Sequence, residues 1–158
     1  MACVVDVNFA VLINGIPTPF SKAARALRQG YSLSPLLFIL VMDSLSLHIK
    51  MVIQQNRCRP LPISRGISIS HSLFVDDILL STILCRASWI CLHESLGKFQ
   101  KAIGMCVNEG KSCFHVENIN GDLISFLSQL FNIEAILIQL GLKYLGFNLK
   151  SVGYTATD

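Results

Sequence analysis

With 158 residues, the chain is one domain's worth and long enough to bury a core, and its hydrophobic share of 52% lies slightly above that of an ordinary globular domain. The net charge of +3, with no run of Lys or Arg, is compatible with nucleic-acid contact but does not demand it. Six cysteines (Cys3, Cys58, Cys85, Cys91, Cys106, Cys113) include no C-x-x-C pair and have no His at zinc-ligand spacing, so they read as reduced, mostly buried small hydrophobes of an intracellular protein.

Near the N-terminus, Asp6 and Asn8 interrupt any apolar stretch, so no signal peptide is expected. The mean hydropathy of +0.55 raises the question of a membrane span. The longest uninterrupted apolar run, Leu36 to Met42, is seven residues before Asp43 breaks it. A spanning helix needs ~20. The segment from Ala135 to Leu149 carries Gln139, Lys143 and Asn148, so no span is expected there either.

Asn8 to Ile13 reads as a strand, closed by a turn at Asn14-Gly15 and a loop from Pro17 to Pro19. The next apolar pattern predicts a helix from Leu33 to about Gln55, with Ser34 as N-cap and Pro35 at the first helical position. Its stripe is Leu36, Ile39, Leu40, Leu47 and Met51, interrupted only by Asp43. Asn56 to Pro62 is a breaker loop, and Ile67 to Phe74 and Ile78 to Ile83 are strands. Ser88 to Gly104 is an amphipathic helix, with Trp89, Leu92, Leu96, Phe99 and Ile103 on one side and Gly104 as its stop. A third helix is expected over Asp122 to Leu140 and a last strand over Lys143 to Leu149. This order implies an α+β fold with helices on one face of an antiparallel sheet.

Asp76 and Asp77 lie side by side between the two central strands, in a chain where only 15% of residues are charged. At the tip of a hairpin, both would project into one small volume and repel each other unless a cation lay between them. Two Mg²⁺ ions would relieve that repulsion and could catalyse phosphoryl or nucleotidyl transfer. The bland alternative is a solvent-exposed Asp-Asp turn that caps a hairpin.

Phe74-Val75-Asp76-Asp77 does not stand alone. Upstream lie Val11-Leu12-Ile13-Asn14-Gly15, Arg25-Ala26-Leu27-Arg28-Gln29-Gly30 and Leu33-Ser34-Pro35-Leu36-Leu37-Phe38. Downstream come Gly104-Met105-Cys106-Val107-Asn108 with Lys111-Ser112, then Lys143-Tyr144-Leu145-Gly146. In that order these segments resemble the successive motifs of the reverse transcriptase palm, specifically of plant-like non-LTR (LINE-type) retrotransposons. The resemblance covers about Cys3 to about Leu149 and implies a partial, truncated palm domain over residues 1–158, incomplete at its N-terminal side.

The resemblance implies RNA-directed DNA polymerase as the parent activity, with an RNA template, a DNA primer and a dNTP as partners. Asp76 and Asp77 would be metal ligands for Mg²⁺, or Mn²⁺ in its place, with Asp76 the firmer of the two. Lys111 would act as general acid toward pyrophosphate. Arg28, Gln29, Gly30 and Asn108 would contact template and nucleotide, and Tyr144, Leu145 and Gly146 would form the primer grip. Three departures from the family pattern stand out. Gly30-Tyr31-Ser32-Leu33-Ser34-Pro35 replaces Gly-Asp-Pro-Leu-Ser-Pro, Ala26 stands where Gly is usual, and Val75 where Ala is usual.

The family also uses a third metal-binding Asp on an earlier strand. Asp6 is the only acid before Lys22, and it lies eight residues before Asn14, with no room for the helix that normally intervenes. An inactive polymerase fragment is therefore expected. The alternative is a non-catalytic nucleic-acid-binding or interaction module that keeps the palm fold, with Lys22, Arg25 and Arg28 as its basic cluster. Either would work in the nucleus or cytoplasm, away from membranes.

Overall fold

The first strands turn back on themselves at Asn14-Gly15. The computed structural model describes residues 8–22, 30, 32–83, 85–117, 121–138 and 141–150. β1 (Asn8–Phe9) and β2 (Leu12–Ile13) pair antiparallel with β4 (Ser21–Lys22) and β3 (Ile16–Pro17), respectively. Asn14 and Gly15 have φ of 51° and 83°, the pattern of a type I′ turn, whose twist suits a two-residue hairpin. The expected single strand over Asn8–Ile13 is split in two. In the gap, Val11 donates its N–H to Thr18 Oγ1 at 3.0 Å and accepts the Thr18 N–H at 2.9 Å.

α1 (Ser34–Gln54) is continuous, and its bounds fall within one residue of expectation. The cap position is Leu33, so Ser34 is the first helical residue rather than the N-cap and Pro35 the second. The buried side is not the expected one. Met42, Leu45, Ile49 and Val52 enter the core, whereas Leu36, Ile39, Leu40, Leu47 and Met51 are exposed. Both sides of this helix are apolar, so periodicity alone could not choose between them. Because the helix runs through Asp43, it spans 21 residues, and an 18-residue stretch of it averages a hydropathy of 2.0, long and apolar enough by length and composition to cross a membrane.

β5 (Leu61–Ser64) and β6 (Ile67–Ile69) form a hairpin around Arg65-Gly66, so the expected loop ends earlier than Pro62. The expected strand Ile67–Phe74 divides at Ser70 into β6 and β7 (His71–Phe74), and β7 pairs with β8 (Asp77–Leu80). α2 (Arg86–Ile103) ends at Gly104, whose φ of 71° lets its N–H reach the Gln100 carbonyl at 2.8 Å.

A short 3₁₀ turn (Glu109–Lys111) leads into β9 (Cys113–Val116). α3 (Gly121–Phe131) is shorter than expected, stopping at Asn132 with φ of 56°. Beyond it the expected helix gives way to β10 (Glu134–Leu137), which runs parallel to β9, and residues 139–140 lie outside the described residues. Asn tolerates the left-handed conformation that ends a helix, and the β-branched Ile133 and Ile136 that follow suit a strand. β11 (Leu142–Tyr144) and β12 (Phe147–Leu149) form the last hairpin, around Leu145-Gly146.

The class is α+β, as expected. Among the described residues the strands assort into six two-stranded ladders rather than one broad sheet. Leu45, Ile49 and Val52 of α1, Leu92 of α2 and Leu127 of α3 are each at most 1% exposed and fill the space between the helices. Burial of each contributes about 1.5–3 kcal/mol. Trp89 meets Phe114 and Phe131 edge-on at 5.4 Å and 6.0 Å, tying α2 to β9 and the end of α3.

Candidate active site

The β7–β8 register assigns each ribbon residue to a face. Leu73 opposite Ile78 and His71 opposite Leu80 occupy one face, and Leu73, Ile78 and Leu80 pack on the core. Ser72 opposite Leu79 and Phe74 opposite Asp77 occupy the other. His71 anchors the ribbon: its Nε2 lies 2.8 Å from Ser46 Oγ of α1 and its Nδ1 2.9 Å from Ser70 Oγ. Burial, with the Lys50 charge adding to it, pushes the His71 imidazole below its ordinary pKa, so it is neutral at pH 7.

Val75 and Asp76 form the two-residue turn. Val75 has φ of 51° while Asp76 is not among the positive-φ residues. A β-branched residue in this region costs about 1–3 kcal/mol, a strain seen at functional sites. Val75 is 61% exposed, so side-chain packing does not explain its place. Asp76 stands in the turn and Asp77 opens β8; both are exposed and neither side chain has a hydrogen-bond or ion-pair partner among the described residues.

The C-terminal hairpin meets the β7–β8 ribbon through Tyr144. Tyr144 donates its hydroxyl to Ser72 Oγ at 3.1 Å, across 72 residues of sequence. That bond sets β11 against the ribbon face that carries Phe74 and Asp77. Leu145 and Gly146, with φ of 51° and 86°, form the exposed turn that follows. Tyr144 is thus joined to the strand that leads into Asp76 and Asp77.

Lys111 and Asn108 have no bond to this ribbon among the described residues. Lys111 ends the 3₁₀ turn and is exposed; the Asn108 carbonyl accepts the Lys111 N–H at 3.1 Å and the Ser112 hydroxyl at 2.8 Å. Gly30 is exposed with φ of 77°, a conformation that favours glycine. Arg28 and Gln29 lie outside the described residues, as do Asp6 and Arg25.

Sequence reasoning passed over Ser72, His71 and Ser46. The one signal available was the polar pair His71-Ser72 inside an apolar strand.

Two unpartnered carboxylates suit a hard, oxygen-seeking cation such as Mg²⁺, which keeps several waters when it binds through one or two carboxylates. Among the described residues no three of His, Cys, Asp and Glu are arranged to hold an ion, so this pair supplies two protein ligands at most.

Residues 4–149 match the family model described as reverse transcriptase (RNA-dependent DNA polymerase). An uncharacterized mitochondrial protein of Arabidopsis thaliana is 40% identical over 86 residues, which is 54% of this chain and 66% of that relative. This chain thus aligns with just under two thirds of the relative's length. No solved structure gives a significant match. The family match takes in the acid-bearing ribbon, α1, α2, α3 and the C-terminal hairpin, and this chain therefore belongs to the reverse transcriptase (RNA-dependent DNA polymerase) family.

Proposed function

We propose that these 158 residues are a partial palm from a LINE-type reverse transcriptase, whose parent reaction transfers a deoxynucleotide from a dNTP to a primer 3′-hydroxyl on an RNA template. The observation that carries this reading is the Asp76-Asp77 pair, whose side chains have no partner among the described residues, at a turn where Val75 has φ of 51°, on the ribbon that Tyr144 joins through Ser72. Asp76 and Asp77 would hold Mg²⁺ or Mn²⁺. A divalent ion bound there supplies charge neutralisation at the phosphates and a lowered pKa for the attacking hydroxyl.

In this reading, Asp76, held in the turn itself, is the direct ligand and Asp77 the second. Tyr144, Leu145 and Gly146 support the primer end. Gly30, with Arg28 and Gln29 beside it, approaches template and nucleotide, and Asn108 helps orient them. Lys111 protonates the departing pyrophosphate. The reading includes a loss: two carboxylates cannot fix both ions for in-line transfer, and Asp6 is the sole acid preceding Lys22. These 158 residues alone therefore do not extend a primer. A non-catalytic module that keeps the fold and binds nucleic acid is the second reading, supported by the absence of a three-ligand cluster among the described residues.

Primer extension on an RNA template in Mg²⁺ or Mn²⁺, beside the Asp76→Asn, Asp77→Asn double variant, tests this. Extension that disappears in the variant would overturn the claimed loss of activity and make Asp6 the next residue to mutate. No extension, with salt-sensitive binding to an RNA–DNA duplex, is the expected result. Folded protein that neither extends nor binds the duplex would contradict both readings.

A further inference from the structure

The β9–β10 ribbon gathers metal-ligating groups that the proposed polymerase site does not use. The two strands run parallel in register, with Cys113 beside Glu134 and His115 beside Ile136. Residues two apart on a strand share a face. Phe114 and Val116 therefore enter the core, and Cys113, His115 and Glu134 stand together on the opposite side. Cys113 and Glu134 are exposed and His115 is half-buried, so the face is open to solutes.

Cys113 Sγ lies 3.2 Å from His115 Nε2. Ligands at zinc distances of about 2.3 Å for sulfur and 2.0–2.1 Å for nitrogen sit about 3.6 Å apart in a tetrahedron. The two side chains need to open by only a few tenths of an ångström to share an ion. Burial, and then the nearby Glu134 carboxylate, push the Cys113 thiol up, so it stands as a neutral thiol that a metal ion must deprotonate on binding. Burial keeps His115 neutral, leaving a ring nitrogen free to donate its lone pair. The other ring nitrogen, Nδ1, is buried without a hydrogen-bond partner among the described residues.

We propose that Cys113, His115 and Glu134 form a binding site for a borderline-soft divalent cation, with zinc the best fit. A thiolate and an imidazole select zinc over magnesium, and a carboxylate is an accepted third ligand. The Cys113 thiol releases its proton to solvent as the metal–sulfur bond forms. The three groups do not converge in their present positions, so Glu134 closes the site by turning its side chain, with water as the fourth ligand. Spacing hid this site from the sequence, because Cys-x-His on a strand is not the pattern of a zinc finger, and Glu134 lies 21 positions beyond Cys113.

Cobalt(II), titrated into the full-length reduced chain, reports such a site through a thiolate-to-metal charge-transfer band and tetrahedral visible bands. One equivalent is expected to bind, and zinc to displace it. Cys113→Ser is expected to abolish the charge-transfer band, and His115→Gln to remove the tetrahedral bands. Glu134→Gln, which preserves shape, is expected to weaken binding by about tenfold or more, the range found even for outer partners of a metal site. Cys106→Ser, at another exposed cysteine, leaves the bands unchanged. The Asp76→Asn, Asp77→Asn variant also leaves them unchanged, so this test is independent of the polymerase reading. No band at stoichiometric cobalt, or a band that survives in folded Cys113→Ser, overturns the proposal.

Discussion

Removing the Tyr144 hydroxyl tests whether the last hairpin is docked on the ribbon that carries the acids. Tyr144→Phe keeps the ring and deletes one neutral hydrogen bond, the 3.1 Å contact to Ser72, which is part-buried. Such a bond contributes about 0.5–1.5 kcal/mol net, because both hydroxyls find water when it is lost. Tyr144→Phe and Ser72→Ala are each expected to cost about 1 kcal/mol, and together hardly more than either alone. The coupling energy is then about 1 kcal/mol, read from a double-mutant cycle in urea. In a thermal melt, each single change would lower Tm by about 2–4 °C for a domain of this size. Additive effects, with coupling under about 0.3 kcal/mol, would refute the docking and detach Tyr144, Leu145 and Gly146 from the site.

Leu45 and Leu40 sit on opposite sides of α1, at 1% and 67% exposure. Leu45→Ala is expected to cost about 2–5 kcal/mol and Leu40→Ala about 0.5 or less, both by urea unfolding; equal costs would mean the wrong face is buried. Gly104→Ala is expected to cost about 1 kcal/mol, through backbone strain alone, since nothing lies within 4 Å of the added methyl group. His71 and His115 both have lowered pKa values in the folded state. The unfolded chain therefore takes up protons first as pH falls through about 6.5. Their contribution to stability is full above that pH and is lost as pH drops through the folded values. Urea midpoints measured from pH 7.5 to 5 should fall, and the fall should shrink in His71→Gln; an unchanged slope would place His71 in solvent.

Local chemistry made much of the fold legible. Asn14-Gly15 announces its turn, Gly104 stops α2, and the apolar runs around Asp76-Asp77 form the expected hairpin. What stayed hidden depends on contacts between distant residues. Ser72 gains its role only from Tyr144, far away in sequence. The choice of buried face on α1 rests on what packs against it, since both faces are apolar. The stretch from Ile133 to Leu140 continues an apolar pattern that fits helix and strand equally, and Asn132 alone marks the break. The strain at Val75 leaves no trace in composition, because valine is a poor choice for that backbone and only the structure shows the conformation it adopts.

Divalent binding at the acid pair tests the central claim most directly. Mn²⁺ titrated into the full chain, followed by the loss of the free-ion EPR signal, is expected to show binding that Asp76→Asn abolishes and Asp77→Asn weakens. The Cys113→Ser variant should bind Mn²⁺ as the parent does, since manganese favours oxygen ligands. Undiminished Mn²⁺ binding in the folded Asp76→Asn, Asp77→Asn variant would contradict the account and leave the turn as an ordinary exposed hairpin tip.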